Sequence, residues 1–265
     1  MPPELIDTHC HLDYEPLASE VEAVLARARA VGVRDCVSIG TTLETSRANV
    51  ALAHRYPMVR AAVGIHPNES ATVTDAALAQ IEQLADDPRV VAIGEVGLDH
   101  YRDHASPDQQ LAAFRGFLAI ATRKRLPVLI HCRNAYEPLL DVLRHDGEGN
   151  VRGVIHCASG PPEFIKGALE LGCLISFAGN VTFPNAHALR ALVPLVPDER
   201  LLVETDAPFL APQPVRGQPN EPAYVAHTAF CVASLRGTTV EVLGALTGGN
   251  ARQLFGFAET HAGDG

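Results

Sequence analysis

The chain contains no tryptophan, and only 5% of its residues are aromatic. An extended platform for stacking a long run of bases is therefore not expected. No C-x-x-C pair is present: the six cysteines (Cys10, Cys36, Cys132, Cys157, Cys173 and Cys231) sit mostly inside apolar runs. That spacing argues for reduced, buried thiols rather than a disulfide framework or a structural zinc knot. There is no long uncharged apolar run, so no membrane span is expected. Pro2-Pro3-Glu4 supplies neither the basic region nor the apolar stretch of a signal peptide. A cytoplasmic protein, monomeric or weakly oligomeric, is the expectation. Positive charge is also in deficit, and the formal net charge of −10 argues against a protein that coats nucleic acid electrostatically. It leaves open an enzyme acting on a phosphodiester, because carboxylates that hold metal ions contribute to that total.

What the 265 residues do contain is 47% hydrophobic side chains, enough for a large core. They fall in short apolar runs that alternate with amphipathic stretches. Leu5–His11, Asp35–Gly40, Val59–Ile65, Val90–Ile93, Pro127–Ile130, Val151–Ile155, Cys173–Ala178 and Leu201–Val203 read as strands. Their near-continuous apolar character is that of parallel strands covered on both faces. Helices are expected over Leu17–Val31, Leu43–Arg55, Asp75–Ala85, Pro107–Arg125, Tyr136–Arg144, Pro161–Leu171 and Ala186–Val193. Val21, Val24, Leu25 and Ala28 have the spacing of one helical face, and Pro107 suits a first turn. A Pro- and Gly-rich loop spans Ala207–Pro222, and the remainder reads as helical. Strand–helix alternation of this kind predicts an α/β fold, a (β/α)8 TIM barrel. An open doubly wound sheet is the other topology that periodicity permits. No linker divides the chain, so a single domain over residues 1–265 is expected.

The polar residues at the strand carboxyl ends are of few kinds. His9 and His11 share one face of the first strand, as residues i and i+2 do. The third strand offers His66, the fourth Glu95, the fifth His131, the sixth His156, and the eighth the i, i+2 pair Glu204 and Asp206. In a barrel these ends converge on one mouth. Imidazoles with carboxylates suit zinc or manganese, with magnesium possible but less favoured by nitrogen donors. The set suffices for two divalent metal ions with Glu95 between them. An isolated histidine is ordinarily a hydrogen-bonded structural residue, and His54, His100, His104, His145, His187, His227 and His261 are assigned to that class. His66 has two readings, contact with substrate or a hydrogen bond within the rim. Glu204 also has two: it orients a ligand or water, or it holds backbone amides at the rim. Cys10, Cys132 and Cys157 each follow a proposed ligand histidine. Strand alternation turns all three toward the helix layer, so they are expected to pack rather than to ligate.

The motifs His9-Cys10-His11-Leu12-Asp13, Gly64-Ile65-His66-Pro67, Gly94-Glu95-Val96-Gly97-Leu98-Asp99, His156-Cys157, Phe177-Ala178-Gly179-Asn180 and Glu204-Thr205-Asp206-Ala207-Pro208 occur in that order. With Arg216-Gly217 and Asn220-Glu221-Pro222 they resemble the TatD-related metal-dependent deoxyribonucleases, part of the amidohydrolase-like group of metal-binding TIM barrels. The resemblance covers nearly the whole chain. It implies one metal among His9, His11, Glu95 and Asp206, a second among Glu95, His131 and His156, and digestion from the 3′ end. Glu95 stands where many amidohydrolases carry a carbamylated lysine. The chain departs from the family pattern at Cys132 and Asn134, where serine and aspartate are frequent, and at Ala158, where an aromatic residue is common. These departures bear on substrate preference and leave the metal ligands untouched.

The expected chemistry is metal-assisted hydrolysis of a phosphodiester. A metal-bound water loses its proton near neutral pH, and Asp206 accepts or positions that proton. Arg133 is expected either to clamp a phosphate or to close a rim salt bridge. Arg102, Lys166 and Arg216 are further basic candidates, and Tyr101 is placed to stack on a terminal base. So few aromatic residues favour an exonuclease that handles single-stranded DNA ends, with RNA possible, over a protein that grips long duplex. Two other readings are an amide, ester or lactone hydrolase on the same centre and a non-catalytic binding protein.

Overall fold

The computed structural model describes residues 3–147 and 151–257. Its strands are β1 (Leu5–Cys10), β2 (Val33–Ile39), β3 (Val59–Val63), β4 (Val90–Asp99), β5 (Val128–Arg133), β6 (Gly153–Ile155), β7 (Leu174–Phe177) and β8 (Leu201–Val203). They form one 8-stranded sheet ordered in space as in sequence, and each consecutive pair is parallel. Closure is made just beyond β8. Asp206 N donates to His9 O at 2.8 Å and His11 N to Ala207 O at 2.7 Å, and Cys10 pairs with Ala207 in a parallel bridge. Asp7 reinforces the seam, accepting from Thr205 N at 2.9 Å and Thr205 Oγ1 at 2.6 Å. Burial pushes this carboxyl up to about 8 against those hydrogen bonds. The fold is thus a TIM barrel, and the open doubly wound sheet is ruled out.

The helices are α1 (Val21–Ala30), α2 (Leu43–Arg55), α3 (Asp75–Leu84), α4 (Pro107–Lys124), α5 (Tyr136–His145), α6 (Pro162–Glu170), α7 (His187–Arg190), α8 (Val225–Leu235) and α9 (Val240–Phe255). Local chemistry accounts for their starts. Thr42 and Thr45 cap α2 reciprocally, as Ser106 and Gln109 cap α4, with Pro107 in its first turn. The face expected from spacing on α1, Val21, Val24, Leu25 and Ala28, is buried.

Strand and helix ends shift by a few residues throughout, and three differences from the sequence reading are larger in consequence. The helix expected from Leu17 is split, because Leu17–Ser19 is a 3-10 turn and α1 begins after Glu20. The helix expected over Ala186–Val193 shrinks to one turn ending at Arg190, followed by a separate 3-10 turn over Val193–Leu195; Pro194 has no N–H to donate to the carbonyl four residues back, so the α-helix does not continue through it. Most consequentially, β4 continues to Asp99 instead of stopping at Ile93. Gly97 (φ +141°) permits this, since a Cβ there would lie 2.1 Å from His131 O on β5.

The apolar residues fill two layers. Phe114, Phe117, Leu25, Leu139 and their neighbours pack between strands and helices. Inside the barrel Ile6, Val37, Ile39, Leu129, Val154 and Leu202 cluster with Leu254 and Phe255 of α9. That end of the barrel is closed by hydrocarbon, and the buried polar groups gather at the opposite end. No single helix among the described residues is long and apolar enough to cross a membrane.

Candidate metal centre at the barrel mouth

His9 lies in β1 and His11 just past its end, both buried. Asp206, beyond β8, adopts a left-handed backbone (φ +56°), a conformation that aspartate tolerates better than most side chains. With its N–H held by His9 O, its carboxylate turns back on the two histidines. Asp206 Oδ1 is 3.4 Å from His11 Nε2 and 3.7 Å from His9 Nε2. Glu95, within β4, divides its oxygens. Oε2 lies 3.5 Å from His9 Nε2 and 3.8 Å from His11 Nε2. Oε1 lies 2.8 Å from both His131 Nδ1 and His156 Nε2, and 3.5 Å from His66 Nε2. One carboxylate therefore faces two sets of donors, one with each oxygen.

These residues suit divalent cations. His9 is wholly buried and stacked on His156 with ring centroids 4.0 Å apart, yet neither of its ring nitrogens has a hydrogen-bond partner. Buried polar atoms without partners are rare and call for an occupant. His9, His11 and Asp206, and again His9, Glu95 and His156, bring one donor atom each within 4.8 Å of the others. In His11, His131 and His156 the other ring nitrogen is anchored from behind, as is usual for metal-binding histidines. His11 Nδ1 meets Ile39 O at 3.1 Å, His131 Nε2 meets Asp99 Oδ2 at 3.1 Å, and His156 Nδ1 meets Glu204 Oε1 at 3.3 Å.

The local field is strong. Burial opposes charge on Glu95, but His156, His66 and His131 outweigh it and hold the carboxyl well below its usual range. Burial likewise opposes charge on Asp206, and His11, His9 and His156 bring it down. Against the same burial, Asp206 raises His11, Asp99 and Glu95 raise His131, and Glu95 with Glu204 raises His156. A histidine must be neutral at the nitrogen that binds a metal, so cation binding here competes with protons.

The remaining candidates are distributed as follows. His66 Nδ1 accepts from Asn68 N at 3.1 Å, leaving the ring proton on Nε2. Burial draws its pKa down to about 4. Glu204 is wholly buried behind His156 and also accepts from Cys157 N at 2.7 Å, so both of its expected roles coexist in one side chain. Arg102 lines the cavity at the mouth. Arg133 and Tyr101 do not; the guanidinium lies 3.7 Å from the Tyr101 ring centroid. Cys10 and Cys132 are buried in the strand–helix layer, as alternation requires. Cys157 is not, which corrects the expectation for it. It lies past the end of β6 with φ +44°, so strand alternation no longer applies, and its half-buried sulfur meets Asn180 Nδ2 at 3.6 Å. His261 lies outside the described residues.

The cavity has a volume of about 520 Å³. Tyr14, His11, Asp206 and Phe209 line it, as do Thr41, Thr42, His66, Asn68 and Glu69, and Arg102 with His104. Sequence reasoning did not single out Tyr14, Phe209 or Asp99, and it assigned His104 to the structural class. Asp99 had a readable signal. It stands four residues after Glu95, on the same strand face, but only if β4 is long enough to include both.

Residues 6–256 match the family described as "TatD related DNase". The chain is 38% identical to YabD of Bacillus subtilis, named an uncharacterized metal-dependent hydrolase, over 95% of this chain and 98% of the relative. It is also 38% identical to the 3′-5′ ssDNA/RNA exonuclease TatD of Klebsiella pneumoniae, again over 95% of this chain and 98% of the relative. Among solved structures, the TatD homologue YJJV of Escherichia coli aligns with a TM-score of 0.90 at 32% identity, covering 96% of this chain and 98% of that one.

Proposed function

This chain belongs to the TatD-related DNase family and is a metal-dependent hydrolase; on that premise we propose that it removes nucleotides from the 3′ ends of single-stranded DNA, with RNA as a second polymer. The observation that carries the proposal is the division of Glu95, with one oxygen 2.8 Å from His131 and His156 and the other 3.5 Å from His9. A carboxylate shared between two donor sets is able to hold two ions close together, as in-line displacement at phosphorus uses them. The K. pneumoniae relative named for 3′-5′ exonuclease action supports the polarity and the choice of polymer.

Two divalent ions are proposed, zinc or manganese before magnesium, because most donors are nitrogen. His9, His11, Glu95 and Asp206 would hold one, and Glu95, His131 and His156 the other. When bound, the ions polarise the phosphoryl group and lower the pKa of water. Asp206, which lines the cavity, takes the proton of the attacking water. His66 presents Nε2–H to a nonbridging phosphoryl oxygen, and Arg102 places a guanidinium opposite its charge. Glu204 acts through His156 and not on the substrate. The stacked Arg133 and Tyr101 meet the strand outside the cavity. Six unpaired cysteines support a reducing, cytoplasmic location.

The test uses chelator-stripped protein to which manganese or zinc is returned. A 5′-labelled single-stranded oligonucleotide is expected to give a ladder shortened from its 3′ end. No ladder, together with turnover of a lactone or an amide, would replace the nuclease with a carbonyl hydrolase. Asp206→Asn is expected to keep the fold and slow turnover by roughly 10²–10⁴-fold; wild-type turnover in that variant refutes the role assigned to Asp206.

A further inference from the structure

The geometry points to Phe209 and Tyr14 as a shelf for the base of the terminal nucleotide, an inference that rests on the nuclease reading and deepens it. Phe209 leaves 48% of its surface exposed, and that surface lies in the cavity lining, where covering it with another ring removes apolar area from water. Its backbone is fixed on both sides. Phe209 N donates to Asp206 O at 2.9 Å, and Phe209 O accepts from Asn220 Nδ2 at 2.6 Å. The wholly buried Asn220 also donates to Thr205 O at 2.8 Å, so one side chain spans the turn that presents both Asp206 and Phe209.

Tyr14 is held by its hydroxyl, 3.0 Å from Thr41 Oγ1. The Phe209 ring meets Tyr14 at 5.9 Å and 73° and His11 at 6.0 Å and 68°. These contacts are steep and not stacked, and the half-exposed ring lies in the cavity lining, which leaves surface on it for a base. Tyr101, the stacking residue suggested by sequence, is differently placed: its ring carries Arg133 and does not line the cavity. Phe209 and Tyr14 stand beside the His11–Asp206 half of the centre. Arg102 and His104 supply cationic and polar groups elsewhere in the lining. Hydrocarbon for a base and charge for a phosphate are thus both present. At about 520 Å³ the cavity is of single-ligand size, which fits a terminal nucleotide and not a duplex. Stacking of this kind holds any base.

Two single-stranded oligonucleotides that differ only at the 3′ terminus, one ending in a normal nucleotide and one in an abasic residue, test this. Manganese-loaded wild-type protein is expected to release the normal terminus with a specificity constant roughly 5- to 150-fold above that for the abasic one, the span of one stacked base. In F209A the ratio falls to within about twofold, and F209W retains it. F209L, which keeps apolar bulk at a half-exposed position, serves the same comparison if F209A loses metal or melts early. A wild-type ratio near one, or a ratio that survives in both F209A and F209L, overturns the shelf while leaving the nuclease intact. No shortening of either oligonucleotide by the wild-type protein overturns the nuclease reading itself and this inference with it.

Discussion

Glu204→Gln separates two roles that a buried carboxylate beside a metal centre can have. Glu204 Oε1 takes His156 Nδ1–H at 3.3 Å and Cys157 N–H at 2.7 Å, while Oε2 has no hydrogen-bond partner. Glutamine keeps a carbonyl oxygen for both donors and removes the charge. A hydrogen bond to a charged group contributes about 1.5–3 kcal/mol and a neutral one about 0.5–1.5. The variant should therefore hold His156 more weakly by about 1–1.5 kcal/mol, or about tenfold in metal affinity. Competition with a chelator measures the manganese affinity, and initial rates on labelled single-stranded DNA across a manganese series measure recovery. Activity should fall at limiting manganese and largely return at saturation. The reasoning is refuted if turnover drops by about two orders of magnitude or more, at unchanged affinity, and excess metal does not restore it. Glu204 would then transfer a proton in the reaction despite its burial.

Two further predictions concern what holds the site in place. Arg27 on α1 binds Glu221 through Nε at 2.8 Å and Nη2 at 2.6 Å, next to the Asn220 that spans the Asp206–Phe209 turn. Arg27→Ala leaves a largely buried carboxylate with less support and should cost about 1–3 kcal/mol in urea unfolding; an unchanged midpoint would show that the pair is idle. Cys10, Cys36, Cys132 and Cys173 are buried, and burial pushes the Cys132 and Cys173 thiols up to about 12. A thiol reagent under mildly alkaline conditions should reach Cys231 first, Cys157 more slowly because burial and the Asp206, Glu204 and Glu95 carboxylates push its thiol up, and the other four only on unfolding. Rapid labelling of Cys173 in the folded protein would contradict the packing described.

The sequence by itself determined whatever depends on local period. Eight apolar runs alternating with amphipathic helices announced a parallel α/β fold, a barrel or an open sheet, and histidines and carboxylates at the strand exits announced a metal centre. His9 and His11 needed only the two-residue repeat of a strand to share a face. Cys10 and Cys132 were legible for the same reason, since their strands continue through them. Where regular backbone stops, alternation fails, although Asp206 was still legible as a carboxylate at a strand exit. Cys157 and Asp206 sit in left-handed conformations beyond β6 and β8, so no alternation rule could aim their side chains. Asp99 was overlooked because a glycine at position 97 lets β4 run past its apolar segment, and that permission comes from the close approach of His131 O on a neighbouring strand.

Tertiary structure alone decided which groups stand behind the ligands and which stand before them. Closure of β1 against the residues after β8 brings Asp206 onto His9 and His11, and it sets Glu204 behind His156. The loops then set Tyr101, with Arg133 over its ring, outside the cavity and Phe209 in its lining. Such pairings join residues far apart in the chain, and no local pattern encodes them. They follow from the register in which the barrel closes and from the few backbone hydrogen bonds that hold its rim.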